Sequence, residues 1–151
     1  SGPTVMRGYY RDRQATRAQI DDGWLHTGDR GRCDGDGYVF VTGRIKDIII
    51  TGGENVLPAE VEDVLRQHPE VADVAVIGTP HARWGEQVTA VVVARPGTQP
   101  DAERLREFAG ARLAGFKKPR RIEFVERLPR NAANKVQTGQ LKERFGRKDP
   151  G

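Results

Sequence analysis

Past Thr51 the apolar positions of this chain fall into two spacings. In PAEVEDVLRQHPE, Val61, Val64 and Leu65 share one helical face, Pro58 suits the first turn, and His68-Pro69 closes the segment. VADVAVIG and QVTAVVVA are valine-rich runs bounded by turn formers, which predicts two short strands separated by a loop, TPHARWGE. After a second loop, RPGTQP, Asp101 predicts the N-cap of a helix AERLREFAGARLAG with an imperfect stripe of Leu105, Phe108, Ala109 and Arg112/Leu113. Gly115 stands where a glycine ends a helix. RRIEFVERL predicts a strand with Ile122 and Phe124 on one face, LPRNAANKVQ a loop, and TGQLKERF a short terminal helix. The order helix–strand–strand–helix–strand–helix predicts a compact α+β domain over about residues 44–145.

The beginning reads differently. Residues 1–37 are rich in Gly, Asp, Arg and turns, with apolar residues scattered singly or in pairs and no core of their own. DGDGY predicts a tight turn, and YVFVTG and IKDIII predict two β-rich runs around Gly43-Arg44. A stretch that cannot bury a face implies the end of something larger.

The 151 residues are one domain's worth, or a small domain with an attached fragment. A lone cysteine, Cys33, rules out an internal disulfide framework and suits a reducing cytoplasm; it has no basic partner in register and is expected to be inert. No apolar run approaches the roughly 20 residues of a membrane helix, and SGPTVMRGYY does not read as a signal peptide. The net charge of +4 hides an asymmetry. From Gly115 to Lys148, eleven Lys and Arg face three acids, so the basic end favours an anionic partner or is a solvated face. Zinc spacing, an aromatic RNA-binding signature and a long basic helix stripe are all missing, which argues against nucleic acid. His26, His68 and His81 lack metal-ligand spacing, and the calcium-loop likeness of Asp34-x-Asp36-Gly37 fails where Ile45 replaces the required Glu.

Four segments carry a stronger signal: GWLHTGDRG with DGDGYVFVTGR, then GRIKDIIITGGENVLPAEVE, then PHARWGEQVTAVVV, then LPRNAANKVQTGQLKE. In this order and spacing, from about Gly2 to Phe145, they resemble the adenylate-forming superfamily of acyl- and aryl-CoA ligases, luciferase and peptide-synthetase adenylation domains. The resemblance implies an α+β fold: a small C-terminal cap domain with a short sheet and flanking helices, preceded by a β-rich fragment of the N-terminal domain. Residues 1–43 would end that large domain, 44–46 would be the hinge, and 47–151 the cap. It implies a two-step reaction in which a carboxylic acid and MgATP give an acyl-adenylate, and CoA thiol then takes the acyl group. The phosphate loop and acyl pocket would lie upstream, so this chain alone is expected to be inactive. Alternatives are a relative that loads a carrier protein or oxidises its adenylate, and a stand-alone cap module that binds CoA or a partner.

Site residues follow by motif. A carboxylate has two acceptor oxygens for the two hydroxyls of a ribose, the role the resemblance gives Asp29; on local sequence alone Asp29 is also a turn-capping residue. Arg44 matches the second nucleotide contact, and is otherwise a strand-end arginine. Lys46 falls at the hinge, and without the family is a surface lysine. Gly52, Gly53 and Glu54 belong to a loop that lines the pantetheine channel in CoA-forming relatives; adjacent glycines also make a plain tight turn. Trp84 is either a packing anchor for its loop or a flat surface for a ligand. Together with Phe116 and Lys118 it matches positions that meet the nucleotide end of CoA in aryl-CoA ligases. Lys135 matches the catalytic lysine, whose ammonium would bridge carboxylate and α-phosphate. The commoner pattern has Gly before this lysine, where Asn134 stands; Asn is the next-best residue for positive φ, and some aryl-CoA ligases share the Asn-Lys form.

Overall fold

The computed structural model describes residues 2–146. Residues up to Lys46 form one compact unit and those from Asp47 onward another. Ser1 and the end of the 47–151 segment, with Arg147 and Lys148 of the basic run, lie outside the described residues.

The first unit holds a helix α1 (Arg13–Gln19) and two hairpins. Asp12 caps α1 by accepting a hydrogen bond from the Ala15 amide at 2.8 Å. β1 (Ile20–Asp21) and β2 (Trp24–Leu25) turn at Asp22-Gly23, both with positive φ. β3 (Asp29–Cys33) and β4 (Val39–Arg44) are joined by the DGDGY turn, where Asp34 Oδ1 accepts from the amides of Asp36 and Tyr38. None of this unit's described residues is buried, and Val39 and Val41 on β4 are each 70% exposed. Neither α1 nor β3 is foreseen from the sequence. With nothing buried, no apolar period marks either of them.

The second unit begins with a correction. Of the expected β run IKDIII, Ile45–Asp47 is a short 3-10 turn and only Ile49–Thr51 is strand, β5. β6 (Glu54–Val56) returns antiparallel to β5. Next comes α2 (Pro58–Arg66), which starts on its proline and buries Val61 and Leu65. β7 (Val71–His81) and β8 (Gly85–Ala94) form a long hairpin, so most of the expected TPHARWGE loop is strand and the turn is only Ala82 to Trp84. Continuous pairing carries polar residues into the ladder, and a polar sequence had looked like a loop. α3 (Ala102–Gly110) ends one turn early, at Ala111. Gly115 therefore does not cap a helix; it opens a 3-10 turn, Gly115–Lys117. β9 is Arg121–Phe124, shorter than RRIEFVERL, and α4 is Thr138–Phe145.

β8 is the central strand. β7 covers one edge; the other takes β5 at Gly85 and β9, in parallel, along Thr89–Val92. The sheet is buried on both faces, which is why the valine runs are near-continuous rather than alternating. Val74, Val76, Val88, Ala90 and Val92 pack with Leu65 of α2 and Leu105 of α3. Ala75, Ile77 and Val91 pack on the other side with Leu128 and with Leu141 and Phe145 of α4. At the sheet edge, the Val76 amide donates to Glu62 Oε1 of α2 at 2.9 Å, so a helix carboxylate covers the strand there. Ile122 joins the first cluster, whereas Phe124 is 43% exposed and does not share its burial.

Candidate functional site

Three groups of side chains stand out, one in the first unit and two in the second. In the first unit, Asp29 and Arg44 are direct cross-strand partners in the β3–β4 ladder. Their side chains approach to 3.6 Å (Nε to Oδ1), half exposed on both sides. Among the described residues the Asp29 carboxylate accepts no hydrogen bond, and its own amide donates to Thr27 Oγ1 at 3.1 Å. Asp29 is therefore not a turn cap. Its oxygens remain available, with the Arg44 guanidinium beside them. Arg44, Ile45 and Lys46 line, with Gln19, Thr27 and Gly28, a concavity of about 470 Å³.

The second group gathers around the turn between β5 and β6. Gly52 and Gly53 have φ of 59° and 86°, a two-residue hairpin turn that needs positive φ at both positions. Gly52 also has a steric reason: a Cβ there would lie 2.8 Å from Cε3 of Trp84. The Gly52 amide donates to the Trp84 carbonyl at 2.9 Å, and the Ile50 amide to Glu86 Oε2 at 2.9 Å, so the glycine hairpin hangs on the start of β8. The guanidinium groups of Arg83 and Arg120 lie 4.6 and 4.9 Å from the Trp84 ring centroid. Half-buried between glycine backbone and arginines, Trp84 packs against the glycine hairpin.

The turn carrying Phe116 packs beside β6. Lys117 is held inside, donating to both carboxylate oxygens of Glu60 at 2.6 and 2.8 Å. Phe116 is 38% exposed. Lys118 runs along Gly110 and lines, with Arg106, Arg120 and Glu103, a concavity of about 270 Å³. The structure thus brings Gly52, Gly53, Glu54 and Trp84 together, with Phe116 next to β6 and Lys118 beside Arg120. Arg106 and Arg120 were missed by sequence reasoning. Nothing local in α3 or in the basic run distinguishes these two, which share a wall with Lys118.

The third group is the loop between β9 and α4. Asn134 has a φ of 59°, the left-handed conformation anticipated from the residue type. Asn131 Oδ1 accepts from the amides of Ala133 and Lys135 at 3.0 and 2.9 Å, and the Asn131 amide donates to the Lys135 carbonyl at 2.9 Å. Lys135 itself is exposed, and among the described residues its ammonium has no hydrogen-bond or ion-pair partner. By contrast, Arg66, Arg106, Lys117, Arg121 and Arg130 are all in ion pairs.

The second and third groups lie at opposite ends of the β7–β8 hairpin. Trp84 is in its turn, next to Gly85, whereas the Lys135 loop is tied through Arg130 to Asp73, which pairs with Val93. Eight residues of strand separate Gly85 from Val93, or roughly 26 Å at about 3.3 Å per residue.

Residues 60–135, half of the chain, match the model of the AMP-binding enzyme C-terminal domain. The chain belongs to that family. Its matched segment ends on Lys135. The chain is 48% identical over 146 residues to a feruloyl-CoA synthase of Amycolatopsis sp., covering 97% of this chain and 30% of that protein. A fatty acid–[acyl-carrier-protein] ligase, ScoC of Streptomyces coeruleorubidus, is 49% identical over 143 residues, with coverage of 95% and 28%. Among solved structures, ATP-bound MatB from Rhodopseudomonas palustris superposes with a TM-score of 0.92 at 43% identity, over 97% of this chain and 29% of that one. These matches bear out the adenylate-forming resemblance and the α+β fold. The chain spans about 30% of the length of such relatives. Among the described residues no helix is long and apolar enough to cross a membrane.

Proposed function

We propose that this chain is the C-terminal part of an ATP-dependent acyl-CoA ligase. A fatty or aromatic acid attacks the α-phosphate of MgATP, giving acyl-adenylate and pyrophosphate; the thiol of CoA then displaces AMP. Residues 1–43 end the N-terminal domain, 44–46 form the hinge around Lys46, and 47–151 are the cap. Mg²⁺ enters with the ATP phosphates. Asp29 receives the ribose hydroxyls and Arg44 supports it from the opposite strand. Lys135 bridges the incoming carboxylate and the α-phosphate, where negative charge accumulates. Gly52, Gly53 and Glu54 face the pantetheine arm, Phe116 offers a ring to adenine, and Lys118 a charge to phosphate. Trp84 holds the glycine hairpin in place for this.

One observation supports this reading above the others. The loop of the free Lys135 ammonium and the glycine–tryptophan group are tied to opposite ends of one hairpin, at strand positions about 26 Å apart. A single placement of the cap cannot bring both to one reaction centre, so a pivot between two placements serves the two steps. The test is Lys135→Ala in the full-length parent. Pyrophosphate release should fall on the order of a hundredfold or more, as for loss of one charge-stabilising group, while acyl-CoA formation from synthetic acyl-adenylate survives. Wild-type pyrophosphate release from this variant would overturn the proposal.

A second reading has its own support, since a carrier-protein ligase is as similar to this chain as a CoA synthase is. Offering the full-length parent CoA and a phosphopantetheinylated carrier separates the two by which thiol is acylated.

A further inference from the structure

Residues 130–135 are all exposed, so packing reaches the Lys135 loop only at its base, where Val136 lies on the second core cluster. Above that base, hydrogen bonds hold it. Those of Asn131 shape the loop internally, and the Gln137 amide closes its base on the Pro129 carbonyl at 2.8 Å. Neither ties its far end to the sheet. Arg130 does: one guanidinium nitrogen donates to the Asn134 carbonyl at 2.7 Å and another to Asp73 Oδ2 at 2.6 Å. Asp73 is itself fixed. The β7–β8 register slips between Val71 and Asp73, a bulge that re-aims the strand there, and Asp73 Oδ1 accepts from the Val74 amide at 2.9 Å.

We propose that Asp73 and Arg130 are positioning residues for adenylation, clamping to β7 the loop that presents Lys135; this rests on the role given to Lys135 above. A lysine delivers its charge through a flexible four-carbon stem, so its placement depends on how well its own backbone is held. Only an arginine fork satisfies both acceptors at once. A lysine at 130 reaches one of them. The clamp acts on the first half-reaction alone, because the glycine–tryptophan group lies at the other end of the hairpin.

The experiment uses Asp73→Ala, Arg130→Gln and Arg130→Lys, made both in this chain and in the full-length parent. In the chain, amide exchange at Asn134 and Lys135 should quicken on the order of tenfold in Asp73→Ala, with the β8 amides unchanged. In the parent, kcat for pyrophosphate release should fall on the order of tenfold in Asp73→Ala and Arg130→Gln and less in Arg130→Lys. KM for ATP and acyl-CoA formation from synthetic acyl-adenylate should hold. Unchanged exchange at Asn134 and Lys135, or equal loss in both half-reactions, overturns the clamp and leaves the role of Lys135 standing. Intact pyrophosphate release in Lys135→Ala overturns that role, while quickened exchange would still show that Asp73 orders the loop.

Discussion

Replacing Gly52 by alanine tests how the glycine hairpin is held, and its neighbour supplies the control. Both glycines adopt left-handed φ, at 59° and 86°. Placing an L side chain there costs about 1–2 kcal/mol, offset by about 0.4–1 kcal/mol from the stiffer unfolded chain, so about 1 kcal/mol net at either site. At Gly53 nothing lies within 4 Å of the added Cβ, so that is the whole cost. At Gly52 the Cβ lands 2.8 Å from Cε3 of Trp84. The indole must retreat by roughly an ångström, leaving its contacts with Arg83 and Arg120; overpacking of this kind costs a further ~1–3 kcal/mol. Gly52→Ala should therefore lose about 2–4 kcal/mol against about 1 for Gly53→Ala. For a unit of this size that is a Tm drop of roughly 8–16 °C against roughly 4 °C. Thermal unfolding of the two variants measures the difference, and tryptophan emission in a Trp24→Phe background reports the displaced Trp84. Equal losses from the two substitutions would refute the packing account of Gly52.

Three further outcomes are expected. Leu65→Ala, at a side chain with 0% exposure between α2 and the sheet, should cost about 2–5 kcal/mol in urea unfolding, because a cavity opens in a close-packed face. Lys118→Ala in the full-length parent should raise KM for CoA several-fold and leave pyrophosphate release unchanged; an unchanged KM would remove Lys118 from the CoA contacts. The chain alone, mixed with ATP, CoA and a panel of fatty and aromatic acids, should release no AMP above background, and clear turnover would sink the reading of it as part of a larger enzyme.

How far the sequence could be read depended on where residues are buried. The terminal helix Thr138–Phe145 was anticipated residue for residue, and the start of α2 was marked by Pro58. The valine runs marked β7 and β8 as strands, and the structure covers their sheet on both faces. Where burial is lacking, reading failed: α1 and β3 contain no buried residue and carry no period. The polar strand ends around TPHARWGE passed for loop because pairing, not side-chain pattern, extends β7 and β8. At the site, the left-handed Asn134 and the glycine turn were legible, since positive φ restricts residue type locally.

By itself, then, the order of residues determined the family and the α+β layout of the second unit, and it singled out Lys135 as the lysine proposed for the chemistry. Each of these is written either in local backbone preference or in a motif of adjacent residues. Tertiary structure alone decided which partners those residues have. Glu60 and Lys117, and Asp73 and Arg130, are both 57 positions apart, and Trp84 meets Gly52 across the turn of another hairpin. Such contacts depend on how strands register and helices pack, and registry is a property of the whole sheet rather than of any segment in it.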